Sequence, residues 1–290
     1  MKNILIPIFS LVPSVAVAEL PLSLESLQTD RGKVKLEAAV SYINSESRHS
    51  ELSSPIYIQT GPASFISIPT ELQENNRNTD MGLGMVGLRY GITEKAELYG
   101  NVSYLWAESR YSNGYAENKV KDKSLSNINL GINYTAVQDG KNPALVGFIE
   151  TSVYEKAHDK RTRINSWLLG ATTYKAIDPV VLSLTAAYRL NKSKSLSDGS
   201  RYKAGNYWLL SPSVSFAANE KISLTGGVQW LGKQPDRIDN KKESFRNTSM
   251  YADFGVGIGF TKNTSINVAT RFNISGENSS EIKMGVQHTF

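Results

Sequence analysis

Apolar and polar residues alternate along most of this chain, in short stretches separated by polar turns. In the last stretch, apolar side chains occupy alternate positions at Ile282, Met284, Val286 and Phe290. A period of two is the pattern of a β-strand with one apolar and one polar face. The same pattern recurs over residues 222–230, 250–260 and 266–272. The pattern therefore predicts a chain built from strands.

Aromatic residues lie at both ends of these stretches. Polar turns follow Tyr90, Tyr134, Tyr174, Phe216 and Phe260. At the far ends lie Tyr104, Trp106, Tyr154, Tyr188, Trp230 and Phe272. Strands that cross a bilayer carry aromatic girdles at both interfaces, whereas a water-soluble sheet has no need of them. This arrangement predicts a transmembrane β-barrel.

Counting the turns predicts an all-β, antiparallel, up-and-down barrel of about 12 strands, an even number with both termini on the periplasmic side. Strands are expected to start near residues 33, 95, 143, 179, 221 and 265 and to end near residues 91, 138, 176, 218, 262 and 290. The pieces IYIQ and FISIP, within 47–79, are shorter than the roughly 9–11 residues that cross a bilayer. We expect them to form a hairpin above the membrane, with fourteen strands as the alternative.

Charged, Ser/Asn/Gly-rich stretches predict external loops at 107–123, 156–162, 191–205, 233–246 and 274–280. Two strands, 143–154 and 163–175, have apolar residues on both faces, so the pattern does not decide which side Trp167 faces.

The first residues form a predicted signal peptide. A basic Lys2, an apolar run and the small residues of Ala16-Val17-Ala18 predict a leader at 1–18 that is cleaved after Ala18. Export and the barrel pattern together predict the outer membrane of a Gram-negative bacterium. The chain has no Cys, which excludes a lipoprotein anchor and disulfides. Loss of Lys2 lowers the net charge from +5 to +4, and no basic stripe suggests a nucleic-acid partner.

Residues 19–32 precede the barrel domain at 33–290. Leu20, Leu24 and Leu27 match one face of a helix, so this periplasmic segment is a candidate plug for the lumen. The pattern fits an unstructured tail equally well.

If even-numbered residues face lipid in most strands, charged residues face the lumen. The lumen-facing candidates are Lys35, Glu37, Arg89, Glu97, Glu150, Arg189, Asp253, Arg271 and Lys283. Lumen charges set ion preference, but mixed signs on neighbouring strands pair with each other. We therefore expect weak ion selectivity.

Two stretches, DRGKVKLEAAVSY at 30–42 and GLRYGITEKAELYGNVSY at 87–104, resemble the barrel family named for the meta-pathway of phenol degradation. The resemblance implies a twelve-stranded outer-membrane transporter for small hydrophobic or aromatic compounds, or for another solute. The broad family is also similar to the secretion channel for functional amyloid subunits, in which an N-terminal helix closes the lumen. This chain lacks the long periplasmic coiled coil of that exporter.

The C-terminal strand resembles the signal that the barrel-assembly machinery recognises. Phe290, Val286, Met284 and Ile282 match it, whereas His288 departs from the usual aromatic or aliphatic residue. The predicted partners are this machinery, outer-membrane lipid and a small-molecule or polypeptide substrate.

No catalytic constellation is predicted. The three histidines are His49, His158 and His288, and none has a serine or carboxylate partner at a spacing that suits a hydrolase. No cofactor or transition-metal site is expected, although Ca²⁺ binding by the loop residues Asp236 and Asp239 stays open. We expect a channel or transporter. The alternatives are an export pore gated by residues 19–32 and a structural or adhesive barrel.

Overall fold

The fold is known from a computed structural model. It describes residues 28–47, 56–59, 65–68, 76–112, 117–157, 160–162, 166–195, 199–242, 245–275 and 278–290.

Twelve long strands form the wall of the molecule. They are β1 (Val34–Ser47), β2 (Asn76–Gly91), β3 (Ala96–Ser112), β4 (Glu117–Val137), β5 (Ala144–Ala157), β6 (Ser166–Ile177), β7 (Val180–Asn191), β8 (Tyr207–Asn219), β9 (Ile222–Lys233), β10 (Asn247–Thr261), β11 (Thr264–Ser275) and β12 (Asn278–Thr289).

Each strand pairs antiparallel with the next one, and β1 closes the barrel by pairing with β12. The closing register runs from Lys35 opposite Thr289 to Glu46 opposite Asn278. Closure leaves no strand edge unpaired, which is the condition for a sheet in lipid. The predicted twelve-strand barrel is confirmed, and the strand ends at the turns agree with the predicted ones to within one residue.

The two rims of the barrel differ. Short turns join the strands at one rim, over 91–96, 137–144, 177–180, 219–222 and 261–264, and the chain enters and leaves the barrel at this rim. Longer connections lie at the other rim. In bacterial barrels the short turns are periplasmic, so the opposite rim is the extracellular one.

The outer face of the wall is apolar over its middle. Exposed side chains there include Val40, Val86, Val102, Leu130, Leu182, Val214, Leu224, Phe254, Ile282 and Met284. A band of this extent would not be stable in water, so it is the lipid-facing surface. Within the described ranges, no helix is long and apolar enough to cross a membrane.

Exposed aromatic side chains flank the apolar band. Tyr90, Tyr134, Phe216 and Phe260 lie near the periplasmic rim, and Tyr104, Trp106, Trp230 and Phe272 lie towards the extracellular rim. Tyr174 is an exception to the predicted girdle. It is paired with Ala144, which is fully buried, and therefore points into the barrel.

The strands β3 and β4 are longer than predicted. They contain 17 and 21 residues, and their pairing continues up to Ser112 opposite Glu117. The prediction of a loop over 107–123 is therefore wrong, since most of this stretch is strand. Above the bilayer both faces of a strand meet water, so its charged composition resembled that of a loop.

The connections on either side of β8 and β9 form a small sheet at the extracellular rim. Its strands are Lys194–Ser195, Arg201–Lys203, Arg237–Ile238 and Lys241–Lys242. Burial lowers the pKa of Lys194 and raises that of Tyr202, and the Lys194 ammonium lies 5.3 Å from the Tyr202 ring. A further short strand, Lys160–Thr162, pairs with the end of β5.

The predicted hairpin is present as Ile56–Gln59 paired with Phe65–Ile68. These strands pair with no barrel strand in the described part of the chain, so the barrel has twelve strands and not fourteen. The expected location above the membrane is wrong for Gln59. Its main-chain oxygen and side chain contact Lys283 and Arg271 on the inner wall.

Candidate functional site: the barrel lumen

The inner wall carries every charged residue that the alternation predicted for the lumen. Lys35, Glu97, Glu150, Arg189 and Arg271 are buried inside the barrel. Glu37, Arg89, Asp253 and Lys283 line an internal cavity of about 350 Å³. The structure brings these residues together in three clusters.

Arg89 on β2 is the centre of the first cluster. Its Nε lies 2.6 Å from Glu37 Oε1, and its Nη1 lies 2.8 Å from Glu97 Oε1. Lys35 is opposite Arg89 in the β1–β2 pairing. The guanidinium also lies 5.6 Å from the centre of the Tyr99 ring. Two cations and two carboxylates therefore compensate each other on this part of the wall.

Glu97 also holds the segment that precedes β1. Its Oε2 accepts a hydrogen bond of 2.5 Å from the Thr29 amide, and its Oε1 accepts one of 2.6 Å from Asn133 Nδ2. Both Glu97 and Thr29 are almost completely buried. Gly91 makes this possible, because a Cβ at that position would overlap the carbonyl oxygens of Thr29 and Asp30. The chain thus enters the periplasmic mouth of the barrel at Thr29.

The three leucines of the predicted plug, Leu20, Leu24 and Leu27, lie outside the described residues. Gln28, the first described residue, accepts a hydrogen bond from the hydroxyl of Thr135 on the inner wall of β4. The plug itself stays a prediction. The described end of the same segment, Gln28 and Thr29, contacts the inner wall of the barrel.

Glu150 on β5 forms a hydrogen bond with Tyr99 from β3. The Tyr99 ring lies over Gly131 on the intervening strand, where a Cβ would overlap the ring. A glycine at this position lets the aromatic ring approach the backbone of the wall closely.

Arg189 on β7 is the centre of the second cluster. Its Nη2 donates to Ser166 Oγ at 2.7 Å and lies 3.3 Å from Glu155 Oε1. The guanidinium lies 6.0 Å from the Tyr207 ring. Sequence reasoning missed Glu155, because a bulge in the β4–β5 pairing changes which residues of β5 face inward.

The third cluster joins the last barrel strands to the short hairpin. Arg271 Nε and Nη2 lie 2.7 and 3.2 Å from the two oxygens of Asp253, a bidentate ion pair. The same Nη2 donates to Gln59 Oε1, and Lys283 Nζ lies 3.4 Å from the Gln59 carbonyl oxygen. The Tyr251 ring is 5.5 Å from the guanidinium. Gln59 therefore narrows the lumen beside a charged wall.

The opposite side of the cavity is lined by hydroxyl groups, which we call the hydroxyl wall. Hydroxyl pairs bridge three consecutive strand pairs: Thr172 with Thr185 at 2.9 Å, Ser183 with Ser213 at 2.6 Å, and Ser215 with Thr225 at 2.9 Å. The cavity thus has one charged side and one neutral, hydrogen-bonding side.

Two apolar clusters also face inward, and the sequence analysis did not foresee them. One contains Ile43, Met81, Leu83 and Leu105, and the other contains Leu168, Ala187, Tyr207, Leu209, Leu231 and Tyr251. They explain the apolar residues on both faces of 163–175: Leu168 faces inward, whereas Trp167 is opposite the exposed Leu190 and faces outward.

The residues of the predicted assembly signal lie on the outer face of β12. Ile282, Met284, Val286 and Phe290 are all exposed there. The Phe290 amide donates to the Val34 carbonyl at 2.8 Å, which ties the C-terminus to β1. His288 lies on the same face, with Nδ1 2.9 Å from Thr264 Oγ1.

The described residues contain no group of three or more His, Cys, Asp or Glu side chains that could hold a metal ion. His49 and His158 lie outside the described residues. Asp236 binds Lys233 and the Gly205 amide, at 2.9 and 2.6 Å.

A protein-family model described as "Putative MetA-pathway of phenol degradation" matches residues 168–285. The resemblance stated from the sequence is confirmed. The model matches β6 to β12, whereas the two stretches that carried the resemblance lie in β1 to β3.

Solved structures share the fold. An outer membrane channel from Pseudomonas putida F1 is 10% identical, with a TM-score of 0.65 over 90% of this chain and 97% of that chain. The translocator domain of the autotransporter NalP from Neisseria meningitidis is 11% identical, with a TM-score of 0.53 over 90% of each chain. The transport unit of the autotransporter AIDA-I from Escherichia coli is 9% identical, with a TM-score of 0.54 over 91% of this chain and 92% of that chain.

These proteins are described as an outer membrane channel, a translocator domain and a transport unit. The chain has the fold of outer-membrane β-barrels and is similar to the phenol-degradation family over its last seven strands.

Proposed function

We propose that the protein is an outer-membrane channel for small polar solutes. The observation that carries this proposal is the internal cavity of about 350 Å³ between the charged clusters and the hydroxyl wall. Hydrogen-bonding groups around a narrow passage replace the hydration shell of a solute, and mixed charges give little preference for either sign. The similarity to an outer membrane channel supports the same conclusion.

The channel is constricted in two places in this conformation. Gln59 lies beside Arg271 in the lumen, and Thr29 lies beside Glu97 at the periplasmic mouth. We therefore propose that conduction requires movement of at least one of these segments. Residues 19–32 then act as part of the closure, as predicted for a plug.

A second candidate is a channel for hydrophobic or aromatic compounds. Two observations favour it: the inward apolar clusters, which include Tyr207 and Tyr251, and the phenol-degradation description of the matching family. Both clusters are almost completely buried, so they would contact a solute only after the lumen opens.

An export pore for an unfolded polypeptide is a third candidate. The contact of Thr29 with Glu97 supports a closure that a secreted chain would displace. The similar folds of two autotransporter translocators show only that such barrels share this architecture.

Swelling of liposomes that contain the mature protein tests the proposal. We expect a neutral pentose to enter faster than into protein-free liposomes, and removal of residues 19–32 to increase the rate. Entry of benzoate at a clearly higher rate than the pentose would favour the second candidate. No entry of any small solute, with or without residues 19–32, would contradict a solute channel.

A further inference from the structure

The last barrel strand carries two opposite charges next to each other on the inner wall. Glu281 and Lys283 are alternate residues of β12, so their side chains leave the strand on the same face, and both line the internal cavity. Their Cα atoms are roughly 7 Å apart along the strand. The sequence analysis predicted Lys283 for the lumen but did not include Glu281. We call these two residues the dipolar pair.

The other charged residues around the cavity have partners of opposite charge. Arg89 Nε lies 2.6 Å from Glu37 Oε1, and Arg271 Nε lies 2.7 Å from Asp253 Oδ1. Together with the dipolar pair, these residues are the charged side chains in the described lining of the cavity, three acidic and three basic. The dipolar pair therefore supplies the two charges of the lining that these ion pairs do not use.

Glu281 has a buried carboxylate oxygen that is not hydrogen-bonded. Its Oε1 is shielded from solvent and accepts no hydrogen bond from the described residues. Arg271 is opposite Glu281 in the β11–β12 pairing, but its Nε and Nη2 bind the two oxygens of Asp253 instead. A buried acceptor without a donor costs free energy, and more so when it is charged. Glu281 therefore favours a solute that brings a donor, and a cationic ammonium group is the strongest one.

Lys283 has a weak and uncharged partner. Its Nζ lies 3.4 Å from the Gln59 carbonyl oxygen, its only hydrogen-bond acceptor in the described part of the chain. The residues opposite Lys283 on the two neighbouring strands are Ser41 and Ala269, neither of which is charged. A carboxylate forms a shorter, charge-assisted hydrogen bond with an ammonium group and would replace the Gln59 carbonyl. Lys283 therefore suits an anionic group, whose binding would release the hairpin from this contact.

The rest of the cavity suits the uncharged parts of a solute. Ser183, Ser213 and Thr225 of the hydroxyl wall line the same cavity as the dipolar pair. Hydroxyl groups both donate and accept hydrogen bonds, so they accommodate polar solutes of many kinds. Discrimination between solutes of equal size then depends on the two charges of the dipolar pair.

We propose that the dipolar pair binds a small zwitterionic solute, an aminocarboxylic acid of the size of alanine, with its ammonium group at Glu281 and its carboxylate at Lys283. This inference rests on the proposed channel for small polar solutes and names the solute class that the channel favours. Because the two charges cancel, the site selects for a dipole and not for the sign of an ion. It is therefore compatible with the weak ion selectivity expected for the lumen.

Swelling of liposomes in alanine and in its uncharged isomer lactamide tests the proposal. The two solutes contain the same atoms, but only alanine has an ammonium and a carboxylate group. We expect alanine to enter several-fold faster than lactamide through the unsubstituted mature protein, after subtraction of entry into protein-free liposomes. Glu281→Gln/Lys283→Gln should abolish this preference, while lactamide still enters.

Matched variants separate this site from effects on folding and on pore width. Glu220→Gln/Lys221→Gln removes the same two charges from the exposed periplasmic turn between β8 and β9, and it should keep the preference for alanine. Lys283→Arg retains the positive charge and should retain most of the preference. Because the isomers are equal in size, the ratio of their entry rates does not change when a variant only widens the pore.

Three results would decide against the proposal. Equal entry of the two isomers through the unsubstituted protein, or an unchanged ratio in Glu281→Gln/Lys283→Gln, would overturn it and leave a channel for polar solutes intact. Loss of the preference in the turn variant as well would overturn it, because the effect would then not depend on the dipolar pair. No entry of alanine, lactamide or the neutral pentose would contradict the channel itself, and this proposal with it.

Discussion

At the scale of single residues, Glu97 connects three parts of the molecule. Its carboxylate accepts hydrogen bonds from Thr29, Asn133 and Arg89, which belong to the entering segment, β4 and β2. Alternation along β3 could predict that Glu97 faces the lumen. It could not predict these partners, because they depend on pairing between residues up to 68 positions apart.

Replacing Glu97 with Gln should destabilise the barrel. Three donors converge on the two carboxylate oxygens, and the amide group of Gln would face at least one of them. We expect a loss of roughly 2–3 kcal/mol, less than the 3–5 kcal/mol typical of a broken buried pair, because Glu37 still pairs with Arg89.

Urea unfolding in lipid vesicles would measure this difference. Glu94→Gln in the exposed turn before β3 is the control, and it should leave the unfolding midpoint unchanged. An unfolding midpoint for Glu97→Gln that equals that of the control would show that the cluster contributes little to stability.

Gly91 should control whether the entering segment stays in the barrel. Gly91→Ala places a methyl group where the carbonyl oxygens of Thr29 and Asp30 lie. Gly140→Ala is the control, because its methyl group would have no other atom within 4 Å. Because the chain has no Cys, Thr29→Cys supplies a unique thiol that reports the position of the segment.

Maleimide labelling of this thiol should be slow in the Gly140→Ala background and several-fold faster in the Gly91→Ala background. Equal labelling rates in the two backgrounds would mean that the contact at Gly91 does not hold the segment.

At the scale of elements, the lipid-facing strands were predictable and those beyond the bilayer were not. Where one face meets lipid and the other the lumen, alternation is enforced, and the turns after Tyr90 and Phe216 located the ends of β2 and β8. Above the bilayer, both faces of the β3–β4 hairpin meet water. Apolar and polar residues then no longer alternate, so these strand extensions had no signal in the sequence. Nor did the bulge in β4, where Ser126 is an extra residue between Leu125, opposite Tyr104, and Asn127, opposite Ser103.

The short hairpin was recognised, but its location was not. Its pieces were too short to cross a bilayer, which correctly excluded extra barrel strands. Its contact with the lumen depends on Arg271 and Lys283, more than two hundred residues further along the chain. No local pattern could predict this contact.

Replacing residues 56–68 with a short Gly/Ser linker should widen the lumen, because Gln59 no longer lies beside Arg271. We expect a several-fold increase in ion conductance across planar bilayers. Gln138→Ala, in the exposed turn between β4 and β5, is a control that should not change the conductance. Conductance of the linker variant equal to that of the control would contradict a constriction by the hairpin.

At the scale of the whole molecule, an even number of strands with both termini at the same rim followed from the turns alone. Pairing of β1 with β12 then completes the wall. The partly filled interior was less predictable, because inward apolar clusters look like lipid-facing residues when only the composition of a strand is known.

The open channel should show weak ion selectivity. Arg89, Arg189 and Arg271 each pair with a carboxylate on a neighbouring strand or the next but one, so the lumen presents little unbalanced charge. The reversal potential in a salt gradient should lie close to zero. A reversal potential near the Nernst value for either ion would contradict this balance.

Single-channel conductance of the mature protein in planar bilayers, beside a variant lacking residues 19–32, tests the channel itself most directly. We expect small or infrequent openings for the mature protein and larger, more frequent ones for the truncated variant, because Thr29 then no longer occupies the periplasmic mouth. Absence of any conductance in both proteins, with heat-modifiable migration showing that both are folded, would contradict a channel and favour a closed structural barrel.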